Sequence, residues 1–221
     1  MAKYKTIFFD VGNTLLFPNR SRILAPLEGR KHPSLSEWQS LERRTKQEFD
    51  QGLLTGKVDH GFWWTFHTHL LHGINAFDEA TRDQLVSNTQ NSSNWDQVLP
   101  GTREAVDRIR QKYSTAVISN SDGRIVEVLR RCGLGGCFAS VTDSGIVGHE
   151  KPHPAIFAAA LQTMKADPAE CLHVGDLYSV DYVGSRNAGM QAVIFDVSGA
   201  YRDRDLPRVE TLAQLENWLD N

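Results

Sequence analysis

The chain has 221 residues, of which 40% are hydrophobic, so it can form one core domain with a smaller insertion, or two small domains. Its formal net charge is only -3, and it contains no long run of like charge. This composition argues against nucleic acid or an anionic membrane surface as a partner.

Two further features concern the compartment of the protein. No apolar run approaches the roughly 20 residues that cross a bilayer, and the first apolar run, residues 6–9, is too short for the apolar region of a signal peptide. The three cysteines, Cys132, Cys137 and Cys171, match neither a disulfide framework nor a zinc site. We therefore expect a cytoplasmic protein with reduced thiols.

The first predicted element is a short buried strand at residues 7–9, an apolar run that turn residues close at positions 10–13. The stretch that follows has helical spacing of its apolar residues and contains no strand candidate. Helices are predicted at 36–49, 61–71 and 80–87. Region 18–93 is therefore predicted to be a helical insertion after the first strand.

From residue 94 onward, predicted helices and strands alternate along the chain. The helices are predicted at 101–112, 123–132, 153–164, 180–188 and 209–219, and the strands at 115–119, 140–142, 171–174 and 191–195. Such alternation indicates a parallel sheet with helices on both faces. The predicted fold class is α/β, with residues 1–17 and 94–221 forming the core domain.

Polar side chains follow the predicted strands where each strand ends. Asp10 closes the first strand, Ser119 and Asn120 close the second, and Asp176 follows the strand at 171–174. Ligands of open parallel sheets bind at these carboxyl ends, so these side chains are expected to converge. Two more candidates are Lys151, in a loop rich in proline and histidine, and Asp181, which lies shortly after Asp176.

These residue types suit hydrolysis of a phosphorylated small molecule. A carboxylate such as Asp10 repels a phosphoryl group unless cations neutralise both partners. The carboxylates of Asp10 and Asp176 are oxygen ligands suitable for Mg²⁺, and Lys151 can pair with Asp10 and the phosphoryl oxygens. Ser119 and Asn120 can donate hydrogen bonds to those oxygens. Attack by Asp10 would then form an acyl-phosphate that water hydrolyses.

The same segments resemble the four motifs of the haloacid dehalogenase superfamily. Residues 9–15, Phe-Asp-Val-Gly-Asn-Thr-Leu, resemble the first motif, and Ser119-Asn120 the second. Lys151 within Lys-Pro-His-Pro resembles the third, and Gly175-Asp176 with Asp181 the fourth. The resemblance spans nearly the whole chain. It implies a Rossmann-like core, a helical cap formed by residues 18–93, and a hydrolase dependent on Mg²⁺.

One position departs from the pattern of the phosphatases in this superfamily. They carry a second aspartate two residues after the nucleophile, and this chain has Gly12 there. The Gly12 carbonyl can still bind Mg²⁺, but glycine cannot act as acid or base, a contribution typically worth about 10²–10⁴-fold. We expect slow turnover of alkyl phosphates and a smaller effect on aryl or acyl phosphates. Replacing Gly12 with aspartate is then expected to speed phosphate release.

Several alternatives remain open at the level of sequence. Asp181 either binds the metal or orients Lys151. Haloacid dehalogenases use the same nucleophile without Mg²⁺, and related phosphonate hydrolases form a Schiff base with a cap lysine, for which Lys46 and Lys57 are candidates. A phospho-ligand binding protein without turnover is a further alternative. The histidines at 67, 69 and 72 are predicted to pack in the insertion rather than to bind metal, although one of them can supply the missing acid.

Overall fold

The computed structural model describes residues 4–57 and 60–220, and this part of the chain contains a six-stranded parallel sheet. The strands are β1 (Thr6–Phe9), β2 (Ser114–Ser119), β3 (Ser140–Asp143), β4 (Cys171–Gly175), β5 (Gln191–Phe195) and β6 (Arg208–Val209). Their order is β3-β2-β1-β4-β5-β6, and every neighbouring pair is parallel. The predicted α/β fold with a Rossmann-like parallel sheet is confirmed.

Ten α-helices occur in the described part of the chain. They are α1 (Arg20–Ile23), α2 (Leu35–Thr55), α3 (Phe62–Gly73), α4 (Glu79–Gln90), α5 (Thr102–Lys112), α6 (Ile125–Arg131), α7 (Ser144–Val147), α8 (Pro154–Met164), α9 (Val183–Asn187) and α10 (Leu212–Leu219). None of the described helices is long and apolar enough to span a membrane.

Strand β1 lies at the centre of the sheet because its residues are apolar enough to be covered on both faces. All four of its residues are buried. Ile7 and Phe9 pack in an apolar cluster on one face, whereas Phe8 packs with Phe157 of α8 on the other. This alternation follows from the two-residue period of a strand, and burial on both faces is typical of parallel sheets. Asp10 is thereby fixed at the middle of the carboxyl edge.

Three local features differ from the sequence prediction. Strand β6 is only two residues long and precedes Thr211, whose side chain caps α10, so the helix begins later than predicted. The predicted helix at 180–188 is divided into a π-helical turn, Tyr178–Tyr182, and α9. The short helices α1 and α7 were not predicted, because a single turn leaves too few residues for a period to show.

The segment predicted as a helical insertion, residues 18–93, leaves and rejoins the sheet-containing part of the chain at one place. Phe17 pairs with Gln97 in an isolated antiparallel bridge, and the Asn19 backbone N–H donates to the Asn94 carbonyl at 2.7 Å. Its described residues contain no strand and have their own apolar cluster, which includes Trp38, Phe66 and Leu85. The two chain crossings, at residues 17–19 and 94–97, therefore lie side by side.

Helix α2 is the longest element of the insertion. Ser34 and Glu37 form a reciprocal capping box at its start, and Gly56 ends it in the left-handed conformation that glycine adopts without cost. These two signals extend the helix beyond the predicted 36–49.

Helix α2 is docked onto the core by polar contacts. Arg43 Nε donates to the Ser198 carbonyl at 3.0 Å, and Gln47 Nε2 donates to the Ala200 carbonyl at 3.1 Å. The fully buried Asp50 accepts from the Tyr201 hydroxyl at 2.7 Å and from the Ser179 backbone N–H at 2.8 Å. The insertion is thus held over the carboxyl edge of the sheet, where Asp10 lies.

Candidate active site

All seven site residues predicted from the sequence line one cavity of about 1110 Å³ between the insertion and the carboxyl edge of the sheet. These residues are Asp10, Gly12, Ser119, Asn120, Lys151, Asp176 and Asp181. The structure therefore brings together side chains from four distant segments of the chain.

Asp10 lies directly beyond the end of β1. Its backbone N–H donates to the Val174 carbonyl at 2.8 Å, which fixes the loop against β4. The side chain is 7% exposed, and one carboxylate oxygen, Oδ1, is 2.6 Å from the ammonium of Lys151. Burial raises the pKa of Asp10 to about 7; the pairing with Lys151 opposes this rise and the neighbouring carboxylates add to it.

Lys151 is held from both its ends. Its ammonium bridges Asp10 Oδ1 at 2.6 Å and Asp181 Oδ1 at 2.7 Å. Its backbone exchanges two hydrogen bonds with the Asn120 carboxamide, at 3.0 and 2.7 Å. Burial alone would lower the pKa of Lys151, but the two carboxylates outweigh it and raise the pKa, so the ammonium stays charged. The Asn120 side chain thus positions Lys151, which leaves its amide less free to contact a substrate.

Asp181 uses both of its oxygens within the protein. Oδ1 accepts from Lys151 and from His173 Nε2 at 3.0 Å, and Oδ2 accepts from the Leu177 backbone N–H at 3.0 Å. Burial opposes ionisation, yet Lys151 and His173 lower the pKa of this carboxyl. Gly175 makes the arrangement feasible, because a Cβ there would lie 2.4 Å from Asp181 Cγ. These contacts suit an orienting role for Asp181.

Asp176 follows β4 and contacts a lysine of the insertion. Its Oδ2 is 2.8 Å from Lys46 Nζ and accepts from Asn13 Nδ2 at 3.2 Å. Asn13 reaches this position through a left-handed backbone with φ of 53°, which asparagine tolerates. Burial raises the pKa of Asp176 to about 6, although Lys46 opposes the shift.

The structure separates the two candidate lysines of the insertion. Lys57 is exposed, whereas Lys46 is 1% exposed and its ammonium also contacts Glu42 at 2.9 Å. Burial would lower the pKa of Lys46, but its two carboxylate partners raise it, and the amine is held as a cation. A Schiff base requires a neutral amine, so this environment disfavours that use of Lys46. The sequence signal for its contact with Glu42 is the four-residue spacing on α2.

The charge of this buried network fits a divalent cation. Oxygens of Asp10, Asp176 and Asp181 lie within 4.8 Å of one another. With Glu42 they provide four carboxylates, against two ammonium groups from Lys46 and Lys151. His173 adds no charge, because burial lowers its pKa. The two remaining negative charges, carried by hard oxygen ligands, match one Mg²⁺ ion.

Comparison with known proteins assigns this arrangement to a family. The model of the haloacid dehalogenase-like hydrolases matches residues 4–189. The chain belongs to this hydrolase family.

Individual relatives agree with this assignment. The chain is 37% identical over 138 residues to haloacid dehalogenase-like hydrolase domain-containing protein 3 of Xenopus laevis, covering 60% of this chain and 56% of that protein. It is 36% identical over 112 residues to a glyceraldehyde 3-phosphate phosphatase of Pyrococcus furiosus, covering 49% and 45% of the two chains. The chain thus spans about half the length of these curated relatives.

A solved structure supports the fold over the whole chain. A hydrolase of the same superfamily from Bacillus subtilis, whose crystal structure contains magnesium, superposes with a TM-score of 0.70 at 18% identity. The superposition covers 99% of this chain and 100% of that one.

Within this haloacid dehalogenase-like site, the space beside Gly12 is filled by Trp95. A Cβ built at Gly12 would lie 3.4 Å from Trp95 Cζ3 and touch two further atoms of the ring. Trp95 is 8% exposed and is anchored by its indole N–H, which donates to the Thr89 carbonyl at 2.7 Å. A side chain longer than alanine at position 12 must therefore turn away from the indole or displace it.

Aromatic side chains form much of the cavity wall above Asp10, a feature that the sequence analysis did not predict. The aromatic residues that line the cavity are Phe49, His60, Phe62, Trp63, Trp64, Trp95 and His153. Within the described cavity lining, none of the histidines at 67, 69 and 72 occurs. His67 is instead buried against Thr89 Oγ1 at 2.8 Å, and burial lowers its pKa to about 3. The acid missing at Gly12 is not supplied by these three histidines in this arrangement.

Proposed function

We propose that the chain is a Mg²⁺-dependent hydrolase that removes the phosphoryl group from a small phosphomonoester through an aspartyl-phosphate at Asp10. The observation that carries this proposal is the buried trio of Asp10, Asp176 and Lys151 at the floor of one cavity. The family assignment and a relative named as a glyceraldehyde 3-phosphate phosphatase support phosphoester chemistry.

Asp10 attacks the phosphorus with a carboxylate oxygen. A new oxygen–phosphorus bond forms, and the bond to the leaving oxygen breaks with its electron pair. Lys151 pairs with Asp10 and with the phosphoryl oxygens, and the Ser119 hydroxyl donates a hydrogen bond to them. Water then hydrolyses the acyl-phosphate and restores Asp10.

The metal would be held by Asp10, Asp176 and the Gly12 carbonyl, with Asp181 beside them. Bound there, Mg²⁺ supplies positive charge that neutralises the phosphoryl oxygens during attack. Asp181 and Asn120 act chiefly through Lys151, since their side chains already contact it. The helical insertion, residues 18–93, acts as the cap that covers the substrate and limits its access to water.

With no acid at Gly12, we infer that the leaving oxygen takes its proton from water. We therefore infer slow release of alcohols that are poor leaving groups. A protein that forms the phosphorylated Asp10 and hydrolyses it too slowly for repeated turnover is a second candidate, which the Trp95 contact with Gly12 favours.

Release of phosphate from p-nitrophenyl phosphate with Mg²⁺ tests the proposal. We expect multiple turnovers by the natural chain and a loss of at least about 10³-fold in Asp10→Asn, which keeps the shape of the side chain but removes the nucleophile. Equal rates in both proteins would contradict the proposal. A single burst with a stable phosphoryl adduct on Asp10, seen by mass spectrometry, would identify the second candidate.

A parallel assay distinguishes dehalogenase chemistry. Release of halide from 2-chloropropionate in the presence of a chelator, without phosphatase activity, would assign Asp10 to carbon–halogen cleavage. The cluster of three carboxylates supports the phosphatase instead, because halide departure does not need a metal.

A further inference from the structure

We propose that the substrate is an aryl monophosphate whose ring carries no further anionic group. This inference rests on the proposed phosphatase function and names the class of its substrate. Three observations carry it: the aromatic wall of the cavity, the charges of its lining, and the indole beside Gly12.

The aromatic wall matches a planar ring. Phe62 and Trp63 meet edge to face with centroids 4.8 Å apart, and Trp63 meets Trp95 in the same way at 5.5 Å. Phe49 packs against Phe62 at 5.7 Å, which continues the wall. Phe49 and Trp63 line the cavity yet remain half-buried, so apolar surface is left for a ligand to cover.

The cavity also has the size for such a ring. Its volume of about 1110 Å³ is slightly larger than that of typical small-molecule sites, which is about 300–1,000 Å³. A three-carbon phosphate would leave most of the aromatic wall uncovered.

The charges of the lining argue against a second anionic group. Among the described residues that line the cavity, Lys151 is the only lysine or arginine, and two carboxylates already hold it. Glu150 adds negative charge to the lining, whereas the charge of Asp122 is paired with Arg124. A substrate with a carboxylate or a second phosphate would find no unpaired lysine or arginine among the described lining residues beyond the phosphoryl site.

The chemistry at Gly12 selects the same class. When Asp10 forms its bond to phosphorus, the aryl oxygen departs with the electron pair and later takes a proton from solvent. A phenol ionises near pH 10, whereas an aliphatic alcohol resembles water at about 16, so only the phenolate leaves readily without an acid. A Cβ at position 12 would already touch the Trp95 ring, so a longer acidic side chain there would have to turn away from the indole or displace it. Trp95 thus both forms part of the aromatic wall and leaves little room for an acidic side chain at position 12.

Three simple phosphates separate these contributions. Phenyl phosphate has an aryl leaving group, benzyl phosphate has a ring but an alkyl leaving group, and glycerol 3-phosphate has neither. We expect kcat for phenyl phosphate to exceed that for benzyl phosphate by at least about 100-fold. We expect KM for benzyl phosphate to be about 10-fold lower than KM for glycerol 3-phosphate, because only the former can pack against the wall.

A variant tests the wall directly. Trp63→Leu should raise KM for phenyl and benzyl phosphate by about 5- to 10-fold and leave KM for glycerol 3-phosphate unchanged. Trp218→Leu is the matched control, because Trp218 stacks on Tyr4 in the core and does not line the cavity. Phe49→Leu gives the same test at the edge of the wall if Trp63→Leu does not fold.

The outcomes distinguish this inference from the proposed function. Hydrolysis of glycerol 3-phosphate as efficient as that of phenyl phosphate would overturn the substrate class while leaving the phosphatase intact. A uniform change of KM for all three substrates in Trp63→Leu would also overturn it. Failure of every phosphate to react or to modify Asp10 would instead remove the phosphatase proposal itself.

Discussion

The contact between Gly12 and Trp95 governs how the missing carboxylate can be restored. The sequence alone predicted that Gly12→Asp would speed phosphate release. Because Trp95 lies beside this position, we expect no increase from Gly12→Asp alone, since a side chain longer than alanine must turn away from the indole or displace it. Gly12→Asp combined with Trp95→Leu should increase kcat for benzyl phosphate by about 10- to 100-fold, since an acid then has room beside the leaving oxygen. Steady-state phosphate release measures both variants.

Two controls accompany this pair of variants. Gly12→Ala adds only the Cβ, which fits in ordinary van der Waals contact with Trp95. Trp95→Leu alone reports the cost of losing the indole. A rate increase in the single variant Gly12→Asp would mean that Trp95 moves aside at little cost.

Ionisation of Asp10 should lower the stability of the metal-free protein at neutral pH and above. Burial raises the pKa of this carboxyl to about 7, from an ordinary value of 3.8. A carboxyl with a raised pKa in the folded state adds stability that is complete below the unfolded pKa and is lost as pH rises through the folded value. We therefore expect Asp10→Asn to be more stable than the natural chain, by more than about 1 kcal/mol at pH 8 with a chelator present, and to lose this advantage near pH 4. Urea denaturation measures the difference.

The contribution of Asp181 to stability should have the opposite pH dependence to that of Asp10. Lys151 and His173 lower its pKa against the effect of burial, so its contribution is present above pH 3.8 and is lost as pH falls. Asp181→Asn should accordingly destabilise the metal-free protein at pH 8. The same sign of change in both variants would contradict the assignment of these charges.

At the scale of elements, the docking of α2 depends on Asp50 and Tyr201. Tyr201→Phe removes the hydroxyl that donates to Asp50 Oδ2 and accepts from the Tyr178 backbone N–H at 3.1 Å. Because Asp50 is fully buried, we expect a loss of about 1–3 kcal/mol in the free energy of unfolding. Chemical denaturation measures it.

Tyr113→Phe is the matched control for Tyr201→Phe. Its hydroxyl donates to the Leu219 carbonyl at 3.2 Å in a half-buried site away from α2. We expect it to cost at most about 1 kcal/mol. Equal costs in the two variants would show that the docking of α2 does not depend on the pair of Asp50 and Tyr201.

The sequence predicts elements better than it predicts how they meet. The capping box at Ser34 and the glycine at 56 are local signals that define α2 once they are considered. That α2 turns Lys46 toward Asp176 is not local, because docking contacts such as that of Arg43 with Ser198 join residues 155 positions apart. The contact of Trp95 with Gly12 could not be predicted for the same reason, because it joins residues that are far apart in the sequence.

At the scale of the whole molecule, Mg²⁺ should link the cluster to stability. An ion that binds only the folded state adds about 2.7 kcal/mol at 100 times its Kd. We expect such a stabilisation of the natural chain, measured by thermal or urea denaturation with and without Mg²⁺, and its loss in Asp176→Asn.

Asp122→Asn is the control for Asp176→Asn. Asp122 lines the same cavity but is bonded to Ser92 and Arg124 outside the three-carboxylate cluster. The Mg²⁺-dependent stabilisation should therefore persist in that variant. Its loss in both variants would mean that the ion responds to the general charge of the cavity rather than to the cluster.

The parallel sheet and the convergence of the site residues could both be predicted from the sequence, because both follow from the geometry of buried parallel strands. Apolar runs such as 171–174 form buried parallel strands, and the polar residues that close them must meet at one edge. The contacts that tune the site were not accessible, because they depend on packing between the insertion and the core. Gly175 is an example that the sequence does not reveal. It must be glycine because a Cβ there would clash with the side chain of Asp181, six residues later.

The paired crossings beside Phe17 and Gln97 have a consequence for how such a protein can diversify. Because the chain enters and leaves the insertion at two adjacent positions, the whole insertion can be replaced by another without changing the connections of the sheet. The sheet-containing part of the chain would keep Asp10, the proposed nucleophile, while a different insertion would change which substrates are cleaved. On the proposed function, the catalytic residues and the residues that select the substrate would thus lie on separately replaceable parts of one chain.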